Sequence, residues 1–218
     1  MIRRSIVLGV LALGFALFAT AVWYTTRSTP ATESAEVPTE LQLALIRPYS
    51  PILGPEEAPV TIVEFFDPAC EACRAFYPIV EDIMAEHGES VRVVLRYTPF
   101  HGEGSEIAIR VLEAARMQGN FEAVLEALME EQPRWAAHGD MRPDLILQVA
   151  VSAGLDPEAA QAQMLAPQTT GLLNQERTDI ETVGVRQTPT FFVNGRPVDP
   201  FGEAELRALV AEEVASES

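Results

Sequence analysis

Apolar positions along the chain change their period several times, and each change marks an element. Residues 5 to 26, twenty-two without a formal charge, lie between Arg4 and Arg27 and as a helix would reach roughly 33 Å, enough to cross a bilayer. Met1-Ile2-Arg3-Arg4 supplies a basic cytoplasmic flank, and Trp23 and Tyr24 sit where interfacial aromatics anchor the far end. Residues 1–27 therefore read as a signal anchor. Ala19-Thr20-Ala21 also fits a cleavage site, which leaves a cleaved signal peptide as the alternative. A Ser/Thr/Pro/Glu stretch follows, so residues 28–50 read as a flexible tether and lead-in. On either reading the remainder is exported, to the periplasmic side of a bacterial inner membrane.

From residue 51 a domain begins. Pro59 to Phe66 is β-branched and aromatic and predicts a buried strand ended by Asp67-Pro68. Phe76, Ile79, Val80 and Ile83 then recur at helical spacing up to Gly88, and Val91 to Thr98 reads as a second strand. Strand, helix, strand implies parallel neighbours joined by a right-handed crossover. Between about 103 and 183 the period is helical. Phe121, Val124, Leu125 and Leu128 make one stripe, and Leu145, Val149 and Ser152 a weaker one. Asp156-Pro157-Glu158 is a helix start, and four or five short helices are expected here. Thr190 to Val193 is a strand, Asn194-Gly195 a tight turn and Arg196 to Val198 its return strand; Leu206, Val210 and Val214 form the inner face of a terminal helix. The order βαβ, helical block, ββα predicts one α/β domain over 51–218 carrying a helical insertion.

Charge narrows the partners. The balance of 15 basic against 32 acidic residues gives −17 in 218 residues, which opposes binding to a phosphate backbone, so no nucleic acid is expected. Every basic residue is arginine, which excludes a P-loop lysine and lysine-based covalent chemistry. Only two cysteines are present, too few for a four-thiolate metal site.

Those two cysteines form Cys70-Glu71-Ala72-Cys73, at the junction of strand and helix. Free N–H groups and the dipole of a helix start favour a thiolate on Cys70, the species that attacks a disulfide, and Cys73 is placed to resolve the mixed disulfide. A structural disulfide is the bland alternative, but so short a loop constrains the unfolded chain little. A metal site would need His87, His101 or His138 in addition.

The stretch Gly54 to Asp67, the Cys-x-x-Cys pair and Pro78, together with Gly184 to Gly195 around Thr188-Pro189-Thr190, resemble the DsbA-like branch of the thioredoxin superfamily. The resemblance spans roughly Pro51 to Val214. It implies a thioredoxin-like fold in which Pro189 is cis and lies against the cysteines, with Thr188 offering backbone hydrogen bonds to a substrate strand. Glu64 falls where the superfamily carries a buried acid suited to proton transfer, and it shares a strand face with Ile62 and Phe66; its alternative is a strand-end glutamate paired with arginine or facing water. His101 either lines the site or is a solvated loop residue. Strongly oxidising members carry Pro-His between the cysteines, whereas Glu71 here should repel the thiolate and raise its pKa.

The implied activity is thiol–disulfide exchange with exported proteins, oxidation preferred, by an anchored monomer that needs no cofactor and is served by a membrane redox partner. A reductase or isomerase of the same fold, a thiol-based metal chaperone and a non-catalytic scaffold are the alternatives.

Overall fold

The computed structural model describes residues 39–137 and 140–217. The expected signal anchor or signal peptide, the first part of the tether and His138 lie outside the described residues.

The expected strand–helix–strand unit is present as β2 (Val60–Phe66), α2 (Glu71–His87) and β3 (Val91–Tyr97), with β2 and β3 paired in parallel from Val60 opposite Val91 to Phe66 opposite Tyr97. Two further strands close the far side: β6 (Thr190–Val193) runs antiparallel to β2, and β7 (Arg196–Pro197) antiparallel to β6. They turn at Asn194 and Gly195, whose φ values of 48° and 81° match the left-handed pair that a two-residue hairpin demands. Val198 lies beyond β7, but its N–H still donates to the Phe191 carbonyl. The terminal helix α9 (Glu203–Ser216) buries Leu206 and Val210.

Two short elements precede β2, the first within the stretch read as lead-in and the second just inside the domain. Helix α1 (Glu40–Leu45) starts in a capping box between Thr39 and Gln42, and β1 (Ile52–Leu53) pairs antiparallel with β3, giving the sheet order β1-β3-β2-β6-β7. Both are too short to show a hydrophobic period.

The insertion differs from the four or five short helices expected. It contains α3 (Glu103–Met117), α4 (Phe121–Glu130), α5 (Gln132–Trp135), α6 (Pro143–Ser152), α7 (Pro157–Met164) and α8 (Pro167–Val183), and a two-residue strand pair, β4 (Ala136–Ala137) with β5 (Asp140–Met141), divides α5 from α6. Asp156 caps α7, accepting from the Glu158 N–H. In α6 the buried stripe is Ile146, Val149 and Ala150, rather than Leu145, Val149 and Ser152, and Ser152 is exposed. The helix packs against α3, α4 and α5, and those contacts set its buried face.

The sheet buries both faces, which is why β2 is apolar almost throughout. Val60, Ile62 and Phe66 pack with Val93, Val80, Ile83, Phe191 and Leu206 on one side, while Val63, Phe65 and Val94 pack with Leu45, Ile180 and Val185 on the other. The second face also holds a buried ion network: Arg96 donates to Glu176 at 2.9 Å and Asp179 at 2.7 Å, lies over the Phe65 ring, and donates to the Ala44 carbonyl, while Arg47 reaches Asp179 at 2.5 Å. Helices α1 and α8 are thereby tied to β3. Burial pushes the Glu176 carboxyl up to about 7 despite Arg96.

Candidate active site

Strand β2 delivers the chain to its edge at Phe66, and Asp67-Pro68-Ala69 turns it into α2 with Cys70 as the N-cap residue. No side chain caps this helix, so its first N–H groups remain available to the Cys70 sulfur. Cys70 is 6% exposed and Cys73 0%. Both are free thiols.

The two sulfurs are held in opposite protonation states. Cys70 is lowered to about 5, chiefly by the hydrogen bond from the Cys73 thiol and further by the Thr188 side chain and the backbone N–H groups of Cys73 and Ala72, against the opposing effect of burial. When protonated, Cys70 Sγ donates to the Thr188 carbonyl at 3.3 Å. Cys73 is pushed far above the ordinary thiol range, first by burial and then by its hydrogen bond to Cys70 and the Glu64 charge. The Asp67 N–H donates to Cys73 Sγ at 3.4 Å. The expected repulsion from Glu71 is absent from the leading influences on Cys70; its side chain lies in solvent, where water screens it.

Thr188 and Pro189 arrive on the loop before β6, and the peptide between them is cis. Glu64 is 4% exposed, opposite Leu95 and Phe191 in the sheet. Of its two readings the buried acid holds: no arginine pairs with it among the described residues, and burial, then the Cys70 charge, pushes its carboxyl up to about 8.

His101 is not simply a solvated loop residue. Its Nδ1 lies 2.7 Å from Asp67 Oδ2, and that hydrogen bond raises the imidazole above its ordinary range, with smaller contributions from Cys70 and Glu71. With Ala69, Cys70, Glu71 and Ala72 it borders a recess of about 530 Å³ whose facing wall is Ala136, Ala137 and Met141. Asp67, fully buried, accepts in addition from the N–H groups of Ala69, Phe100 and His101. The sequence places Asp67 at the end of a strand and of the family-like stretch and gives it no role at the site. A carboxylate three residues before a nucleophilic cysteine is the signal that could have flagged it. Among the described residues no three His, Cys, Asp or Glu side chains are grouped to hold a metal ion.

Residues 47–212 match the family model described as Thioredoxin. Among solved structures, a thioredoxin-like oxidoreductase from Silicibacter pomeroyi DSS-3 is similar at 34% identity and TM-score 0.70, covering 81% of this chain and 98% of its own. A periplasmic thioredoxin-like protein from Salmonella enterica serovar Typhimurium is similar at 25% identity and TM-score 0.67, covering 83% and 99%. Of curated proteins, the Na(+)/H(+) antiporter NhaA of Herminiimonas arsenicoxydans is 32% identical over 199 residues, or 89% of this chain; the chain spans 31% of that longer protein.

Proposed function

Because the chain belongs to the thioredoxin family, we propose that it is a DsbA-like periplasmic thiol–disulfide oxidoreductase that donates its Cys70–Cys73 disulfide to exported proteins. The observation that carries the reading is the asymmetry of the pair: Cys70 lowered to about 5, Cys73 buried and driven the other way. A stabilised Cys70 thiolate stabilises the reduced protein, and a pair whose reduced form is stabilised is a strong oxidant.

The reaction follows from these positions. A substrate thiolate attacks Cys70 Sγ, the Cys70–Cys73 bond breaks, and its electron pair passes to Cys73. That sulfur is buried where a charge is costly, so it takes a proton. Glu64, carrying a proton at neutral pH on the same side of the sheet, is the source. The second substrate thiolate then attacks the substrate sulfur of the mixed disulfide, and Cys70 leaves as the thiolate that Thr188 and the start of α2 stabilise. Two substrate thiols become a disulfide, and the protein gains two electrons. Thr188 and Pro189 dock the substrate strand beside Cys70.

The Salmonella relative is described as periplasmic, and the apolar residues 5 to 26 are consistent with export through a signal anchor. Reoxidation then falls to a disulfide-bearing membrane partner. The test is the reduction potential of the pair in glutathione buffers with exchange activity of Cys70→Ser alongside. A value above roughly −160 mV supports a disulfide donor, and one below about −220 mV supports a reductase or isomerase instead. Full exchange activity in Cys70→Ser refutes both.

A further inference from the structure

The turn that presents Cys70 is held from the helical insertion by one buried amide. Gln132, at the start of α5 and 1% exposed, lies more than sixty residues from the turn in sequence. Its Nε2 donates to the Pro68 carbonyl at 2.8 Å and to the Cys70 carbonyl at 3.0 Å. Its Oε1 accepts from Arg74 Nε at 3.2 Å. Arg74 is donor only, so this contact fixes which end of the amide faces the turn. The Cys70 carbonyl also accepts the Arg74 N–H at 3.1 Å, the first bond of α2. One side chain therefore spans Pro68, the N-cap cysteine and the first turn of α2.

Resting on the oxidoreductase reading above, we propose that Gln132 is a positioning residue for Cys70: it sets the turn geometry on which the thiolate depends. The chemical reason is that Cys70 draws stabilisation from groups of the first helical turn, the Cys73 thiol first and the N–H groups of Cys73 and Ala72 besides, with Thr188 adding to it from the facing loop. Such bonds weaken steeply as angle and distance drift. Only the carbonyls of Pro68 and Cys70 are gripped from this side, and the opposite side of the turn is gripped by Asp67 through the Phe100 and His101 N–H groups. Removing the amide releases one of the two grips. The Gln132 grip comes from outside the strand–helix–strand unit, so the insertion tunes the chemistry of a pair it does not contain. Gln132 also directly precedes the β4–β5 wall of the recess through Trp135, whose Nε1 is fastened to the Leu128 carbonyl at 3.0 Å. The clamp is thus on a fixed support.

The test compares full-length wild type, Gln132→Met and Gln132→Asn for thiolate titration by absorbance near 240 nm and for equilibrium with glutathione, with urea midpoints in parallel. Methionine keeps the length without donors, and asparagine keeps the amide but is too short to reach both carbonyls. The expected result, in each variant that folds, is a Cys70 titration about one unit higher, so roughly tenfold less thiolate below the midpoint, and an equilibrium about tenfold more reducing. Arg74→Met, which leaves the amide unoriented, moves both readouts in the same direction by less. Unchanged titration and equilibrium in both Gln132 variants, with only the urea midpoint lowered, overturn the proposal and leave Gln132 a plain structural residue. Failure of the underlying reading looks different: wild type then shows no titration that Cys70→Ser removes.

Discussion

Replacing Glu64 with glutamine separates a buried acid from an ordinary one through stability alone. The carboxyl is pushed from 4.5 up to about 8, with burial the larger cause and the Cys70 charge the smaller. In the unfolded chain it ionises near 4.5, so between these values the unfolded state releases a proton that the folded state keeps. Stability is therefore full below pH 4.5 and falls as pH rises toward 8, by about 1.4 kcal/mol per unit. At pH 5 the loss is about 1 kcal/mol, and by pH 7 it reaches about 3 kcal/mol. Glutamine fills nearly the same volume and never ionises. Glu64→Gln should thus gain stability over wild type by an amount that grows with pH across this window. Urea unfolding of reduced protein at pH 5, 7 and 8.5 measures it, with m values compared to confirm a common unfolded state. In oxidised protein the gain should be smaller, since the Cys70 thiolate that adds to the shift is gone. A difference between variant and wild type that stays flat from pH 5 to 8.5 would refute the reasoning, and with it the placing of a proton on Glu64 at neutral pH.

The remaining expectations concern Cys70 and the ion network. Reduced wild type should titrate near pH 5, and Glu71→Gln should leave that midpoint within a few tenths of a unit; a drop of a full unit would restore the repulsion that the structure removes. Thr188→Val deletes a hydroxyl that bonds the thiolate, so its midpoint should rise by about half a unit to one unit, read in the same absorbance titration. Because the Cys70 pKa is depressed by folding, the extra stability of the reduced form is present at high pH and is lost as pH falls through about 5; reduced-minus-oxidised urea midpoints that do not converge there would contradict it. Arg96→Met leaves Glu176 and Asp179 buried without their shared cation and should cost about 3–5 kcal/mol in urea unfolding, whereas a cost under about 1 kcal/mol would show that the carboxyls simply protonate.

The elements that sequence revealed are those with a period or a motif. The β2 run, the α2 stripe, the Asn194-Gly195 turn and the Cys-x-x-Cys pair each carry their signal within ten residues or fewer. What escaped is polar and distant. Arg96 sits in a strand whose alternation is masked by burial on both faces, and its partners lie eighty residues away on α8. Asp67 and Gln132 are single polar residues whose meaning is a hydrogen bond to another part of the chain, and no spacing announces that. For His101 the sequence offers two readings, and only the placing of Asp67 beside it decides between them. Glu71 shows the converse error. A charge adjacent in sequence was weighed as adjacent in space, but at a helix start the side chain turns outward and the thiolate sees the backbone instead.

The outer strands of the sheet bear on how the protein stays apart from other extended chains. An open strand edge is a template on which any extended chain can polymerise. Here the two borders are β1 and β7, each two residues long, and the second ends on Pro197, which has no N–H to offer. The two border strands themselves therefore offer an extended chain little backbone to pair with. Borders this short limit edge-to-edge association between copies of the protein.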